Sequence, residues 1–82
     1  MDVVKLTKTI VEMLVEDKDS VSVSEFETDE EDVCQIEIMV SENDLGYVIG
    51  KNGKTINAIR NVVQASSTLN GGKKIKINID SY

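Results

Sequence analysis

The strongest constraint on how this chain can fold lies in the stretch Val48-Ile49-Gly50-Lys51-Asn52-Gly53-Lys54-Thr55-Ile56-Asn57-Ala58-Ile59-Arg60. Two glycines three apart enclose polar Lys51 and Asn52, with Ile49, Ile56 and Ile59 around them. The pattern predicts a tight turn between two helices, because glycine allows a sharp bend or a close approach that a Cβ would forbid. A helix beginning near Lys54 leaves its first N–H groups without intrahelical partners. Together with the positive end of the helix dipole, these groups favour a phosphate. The glycine pair alone decides little, since at average glycine usage a G-x-x-G arises by chance about 0.4 times in a chain of this length. Its surroundings carry the information: an apolar lead-in, a basic residue inside the turn and an apolar helix ending in Arg60. A plain helix-turn-helix corner is the architectural alternative.

Gly53-Lys54-Thr55 also matches the end of a nucleotide-binding P-loop, which needs another glycine five positions before Gly53 and a buried strand leading into the loop. Val48 occupies that position, and residues 41–49 read as a cap and a short helix. A nucleotide-hydrolysing fold does not fit comfortably in 82 residues.

The net charge of −6 argues against a nucleic-acid binder only while it is taken as a single number. Residues 1–48 carry three Lys against fourteen Asp or Glu, a net −11, whereas residues 49–82 carry six Lys or Arg and only Asp80, a net +5. Fields are screened beyond about 8 Å in physiological salt, so the local sign at the glycine loop matters more than the total. The chain has no His and one cysteine, Cys34. A zinc cluster, a Ser-His or Cys-His pair and an internal disulfide framework are thereby excluded. The acids at Asp29 to Asp32 share one short loop and read as solvated, so no general-acid and general-base pair is apparent and no enzyme is expected. No apolar run approaches the ~18 residues of a membrane span, and the N-terminus is too charged for a secretory signal. A cytoplasmic location is the expectation.

Along the chain, Val3, Leu6, Ile10, Met13 and Leu14 recur at helical spacing over Val3 to Glu16, with Asp2 placed as the cap. Val4, Val11 and Val15 form an adjoining row. An ample core-facing stripe is expected, with a partner chain as the alternative use of the surplus. Val21 to Glu27 reads as a strand in which Phe26 falls on the opposite face from Val21 and Val23, which predicts a bulge or an edge position. Thr28 to Asp32 forms a loop. Val33 to Val40 is the clearest strand, with Cys34, Ile36, Ile38 and Val40 on one face and Gln35, Glu37 and Met39 on the other, so Cys34 is expected to be a buried core residue. Ser41 to Asp44 supplies a capping box for a short helix through about Val48. After the glycine loop, Ile56, Ile59, Val62 and Val63 mark one face of a helix running to about Ser67. Asn70-Gly71-Gly72 breaks it, and Lys74 to Asp80 alternates as a final strand. The order α-β-β-α-α-β predicts an α+β fold: an antiparallel hairpin, a parallel third strand after a two-helix crossover, and three helices on one face of a mixed three-stranded sheet.

Both the element order and the V-I-G-x-x-G-x-x-I-x-x-I-R pattern resemble KH domains, the order being that of the type II KH fold. Over its whole length the chain is similar to the bacterial KhpA (YlqC) family of single-KH-domain RNA-binding proteins. That resemblance implies a single-stranded RNA partner clamped by the G-x-x-G loop over about four nucleotides. It also implies an RNA chaperone or post-transcriptional regulator that self-associates and pairs with a larger KH-containing protein, KhpB (Jag, EloR), with a link to cell elongation and cell-wall homeostasis. The other reading is a protein-interaction module whose glycine loop is structural. Carried onto this chain, the resemblance makes Gly50, Lys51, Asn52 and Gly53 the phosphate loop, and Val48, Ile49 and Ile56 an apolar floor for bases. Lys54 and Arg60 add charge. Ile49 and Ile56 are also suited to holding the two helices together, and Arg60 to pairing with an acid. Tyr47 stands where relatives often carry Lys or Arg, exchanging a charge for a ring able to stack. The loop Asp29 to Asp32 is assigned to the variable loop beside the groove, where four acids would repel a phosphate backbone.

Overall fold

The structure is a computed structural model that describes residues 2–82. Its sheet has the strand order β1 (Ser22–Glu27), β2 (Val33–Val40), β3 (Lys74–Ser81). β1 and β2 are antiparallel, with Ser22 opposite Met39 and Glu27 opposite Cys34. β3 runs parallel to β2, from Val33 beside Lys74 to Val40 beside Ser81. Helices α1 (Val3–Glu12), α2 (Leu45–Ile49) and α3 (Lys54–Leu69) pack on the face that carries Cys34, Ile36, Ile38 and Val40. This is the expected α+β order, α-β-β-α-α-β, with a mixed three-stranded sheet. Ile36, Ile38, Val40, Val11, Val48 and Val63 have no exposed surface, and each such aliphatic burial contributes about 1.5–3 kcal/mol. Cys34 is free and buried in this core.

Two local expectations are corrected, and of the bulge or edge position expected for β1 the edge position holds. Helix α1 ends at Glu12 rather than Glu16, and the row that faces the core contains Thr7, Val11 and Val15. Val3, Leu6 and Ile10 lie at its margin, while Met13 and Leu14 are exposed. Thr7 was concealed from a hydrophobicity pattern because its hydroxyl is satisfied within the helix, donating to Val3 O at 2.7 Å. On α3, Val62 is exposed and Ser67 is buried instead, its hydroxyl donating to Lys73 O at 2.7 Å. The register of β1 is continuous, so it is an edge strand without a bulge, and Phe26 lies beside Gln35 on the uncovered sheet face.

The early end of α1 has a physical cause in Asp44. Its carboxylate, only 2% exposed, accepts the N–H groups of Asp17 at 3.0 Å and Glu16 at 3.2 Å, and the Ser41 hydroxyl at 3.2 Å. A longer α1 would have used those N–H groups internally. The residue expected to close a capping box therefore anchors the α1–β1 connection to the start of α2, and Ser41 makes no side-chain cap. The hydrogen bond from Asp17 chiefly, and then those from Glu16 and Ser41, hold the Asp44 pKa below the ordinary carboxylate value against the opposing effect of burial.

Because the folded-state pKa is the lower one, this stabilisation is complete above the unfolded value of about 4 and is lost as pH falls through the folded value. Asp44→Asn is expected to lower the urea midpoint at pH 7 and to flatten the loss of stability in acid. Superimposable pH profiles for the two proteins would show that the carboxylate carries no such load.

Candidate nucleic-acid interface

The glycine loop begins where α2 stops. Gly50 donates its N–H to Gly46 O at 2.9 Å and then takes φ 76°, ψ 171°, a region open essentially to glycine alone. Space demands glycine there as well. A Cβ would lie 2.7 Å from Thr55 Cβ and 2.9 Å from Thr55 N, so α3 can start this close to α2 only without one. Asn52 and Gly53 follow in the left-handed region, at φ 57° and φ 76°. Asn52 was expected in the phosphate loop, and the left-handed backbone of this non-glycine residue is what the structure adds. Asparagine is among the few non-glycine residues that adopt this conformation readily, which was the signal available.

The unpaired donors sit one step earlier than expected. Gly53 N–H donates to Gly50 O at 3.2 Å and Lys54 N–H to Lys51 O, so the start of α3 is closed by the loop's own carbonyls. The N–H groups of Lys51 and Asn52 have no acceptor among the described residues. They stand beside the exposed side chains of Lys51, Asn52 and Lys54 and at the positive end of a sixteen-residue helix. A helix, not a strand, leads into the loop, so the P-loop alternative is excluded.

The remaining site residues divide by burial. Tyr47 is 57% exposed, one residue before the wholly buried Val48. Ile49 is half-buried and Ile56 only 5% exposed. Val48 and Ile56 thus join α2 to α3 from beneath and offer almost no surface, which leaves Ile49 and Tyr47 as the groups that present area beside the loop. Among the described residues Arg60 pairs with no acid. Its Nε and Nη2 donate to Ile77 O at 3.3 and 3.1 Å, and its Nη1 donates to Asn57 Oδ1 at 2.9 Å.

Helix α3 runs against the direction of β3, with Arg60 at Ile77, Gln64 at Ile75 and Ser67 at Lys73. The glycine loop therefore lies toward the Ser81 end of the sheet. The acidic turn lies at the other end, where Lys74 N–H donates to Asp32 O at 2.9 Å. β3 spans roughly 23 Å at the usual rise per residue, well beyond the screening length. The assignment of Asp29 to Asp32 as an acidic flank of the loop is corrected accordingly. Glu30 and Glu31 instead line a cleft of about 250 Å³ with Glu25, Glu27 and Lys73. Burial first, and then Glu25, pushes up the pKa of Cys34 on its wall.

A left-handed glycine turn between two helices, packed on an α-β-β-α-α-β sheet, defines a type II KH domain. The chain belongs to the family described as KhpA/KhpB, KH domain, whose profile matches residues 4–79. It is 39% identical over 74 residues to the RNA-binding protein KhpA of Oceanobacillus iheyensis, covering 90% of this chain and 95% of that one. With KhpA of Halalkalibacterium halodurans the identity is 45% over 65 residues, covering 74% of this chain and 83% of the relative. KhpA of Thermotoga maritima is 36% identical over 75 residues, covering 92% and 95%. Among solved structures, Era in complex with a nucleotide and a segment of 16S ribosomal RNA aligns with TM-score 0.73 at 23% identity, over 96% of this chain and 29% of that one. Aquifex aeolicus Era aligns with TM-score 0.72 at the same identity and coverage. Both establish the likeness of fold.

Gly50→Ala is expected to destabilise the protein by more than about 2 kcal/mol, since it meets a forbidden backbone region and Thr55 together. Gly53→Ala, with only Asn57 Nδ2 at 3.8 Å and Ile56 Cγ2 at 4.0 Å near the added carbon, meets the backbone penalty alone, about 1 kcal/mol. Urea unfolding of the two variants checks the order.

Proposed function

We propose that this protein is a non-catalytic binder of single-stranded RNA whose glycine loop holds the phosphate backbone. The observation that carries the reading is the pair of unpaired N–H groups at Lys51 and Asn52, beside two lysines at a helix start. Such an arrangement meets a phosphate with oriented donors and positive potential at once. Relatives that bear the name RNA-binding protein KhpA support it, at 36–45% identity. Gly50 to Gly53 and Lys54 contact the backbone, Ile49 and Tyr47 offer surface to bases, and Val48 and Ile56 hold the loop in place. By family resemblance the role is that of an RNA chaperone or post-transcriptional regulator in the cytoplasm. The same resemblance supports a larger KH-containing partner of the KhpB kind and a link to cell elongation and cell-wall homeostasis.

Fluorescence anisotropy with a short labelled single-stranded RNA tests the clamp. Lys51→Asp combined with Asn52→Asp is expected to abolish binding while circular dichroism shows an intact fold. Wild-type binding should weaken with salt at a log–log slope of roughly −2 to −3, the value for three to four phosphate contacts. Equal binding by both proteins, or binding indifferent to salt, rejects the clamp.

A second reading, self-association, has its own observation. Ala58, Val62, Ala65 and Leu69 recur at helical spacing on α3 and are all exposed, Leu69 by 86%. Such a stripe suits a second helix. Sedimentation at tens of micromolar is expected to show a dimer that Val62→Lys with Leu69→Lys dissolves. A strict monomer removes self-association.

A further inference from the structure

Side chains of α3 occupy the outer edge of β3 in sequence. Gln64 accepts Ile75 N–H through Oε1 at 2.8 Å and donates through Nε2 to Lys73 O at 3.3 Å. Arg60 follows on Ile77 O. Asn57, one turn nearer the glycine loop, makes no side-chain hydrogen bond to the strand among the described residues; its partner is Arg60. Arginine has only donors, so Asn57 is compelled to turn Oδ1 toward Arg60 and Nδ2 away from it. Nδ2 then faces the loop, 3.8 Å from where a Cβ on Gly53 would stand, and has no acceptor among the described residues. Of the five N–H groups of Arg60, three are engaged, leaving one on each terminal nitrogen. An oriented amide donor, turned toward the loop while its own oxygen is turned to Arg60, therefore adjoins the phosphate loop.

From this geometry we propose that Asn57, locked by Arg60, is a specificity-determining residue that selects guanine over adenine in a strand held by the glycine loop. The proposal rests on the RNA-binding reading above. A free asparagine pairs with adenine by accepting from N6 and donating to N7, which requires its oxygen. Here that oxygen is turned toward Arg60 and Nδ2 toward the glycine loop, so an adenine N6 amino group on the loop side would meet the Nδ2 donor rather than the oxygen. Guanine presents two adjacent acceptors, O6 and N7, and suits that donor. Arg60 acts as the positioning residue, fixed in turn by the Ile77 carbonyl.

The test is competition anisotropy on the full chain with short oligouridines that carry one central guanosine, adenosine or 7-deazaguanosine. The wild type should bind the guanosine oligonucleotide about tenfold more tightly than the adenosine one, a typical discrimination for a paired contact, and 7-deazaguanosine should lose most of that gain. In Asn57→Ala, and in Arg60→Lys with its charge kept, the ratio should fall to about one. Asn57 is exposed, so its truncation leaves no buried gap, and circular dichroism checks both folds. A ratio near one in the wild type, or an unchanged ratio in the variants, overturns the proposal. The Lys51→Asp, Asn52→Asp protein separates the two readings. If it binds like the wild type, the clamp is wrong while base selection at Asn57 is judged by its own ratio. A wild type that binds none of the oligonucleotides overturns both.

Discussion

Helix α3 is tied along the outer edge of β3 by hydrogen bonds from side chains to main chain, and the candidate site depends on that attachment. An edge strand presents unpaired backbone groups that must find partners or water. Here Ser67 and Gln64 meet Lys73 O, Gln64 meets Ile75 N–H and Arg60 meets Ile77 O. These bonds fix both the position and the direction of α3 against the sheet. The glycine loop, at the helix start, is consequently held at one end of β3. Gly50 completes the arrangement, because the close approach of Thr55 is what allows α2 and α3 to meet across so short a turn.

The charge distribution follows from the same geometry. Lys51, Lys54 and Arg60 gather along the first turns of α3. Lys73, equally part of the basic half of the sequence, lies instead with Glu30 and Glu31 around the cleft at the far end. Lys76 alternates with Ile75 and Ile77 and so stands on the uncovered sheet face, beside Gln35. A basic block in sequence is thus split among three surfaces, and only part of it can act on a phosphate at the loop.

Much of the fold was legible because period and chemistry agreed. The alternation of Val33 to Val40 specified β2 and its buried face, and the strand order followed from the connections. Helix α1 was legible in kind but not in detail. Its widest apolar stripe included Met13 and Leu14, yet the helix ends before them because Asp44, 27 positions later than Asp17, takes the N–H groups that would have extended it. Thr7 and Ser67 reached the interior by bonding to backbone carbonyls, which hydrophobic counting does not register. Of the proposed site, Gly50 to Gly53 and Lys54 could be read directly, whereas Asn57 could not, since its significance comes from the partner that fixes its amide.

The sequence by itself determined the periodicities, the glycine turn and hence the KH architecture, because these depend on side-chain spacing and on residues lacking a Cβ, which are local properties. Tertiary structure decided which row of α1 is buried, that Arg60 serves a strand carbonyl and not an acid, and that the acidic turn lies a strand's length from the loop. Each of these is set by contact between segments distant in the chain. Hydrogen bonds and screened charges act over a few ångströms of space, and sequence separation does not report that distance.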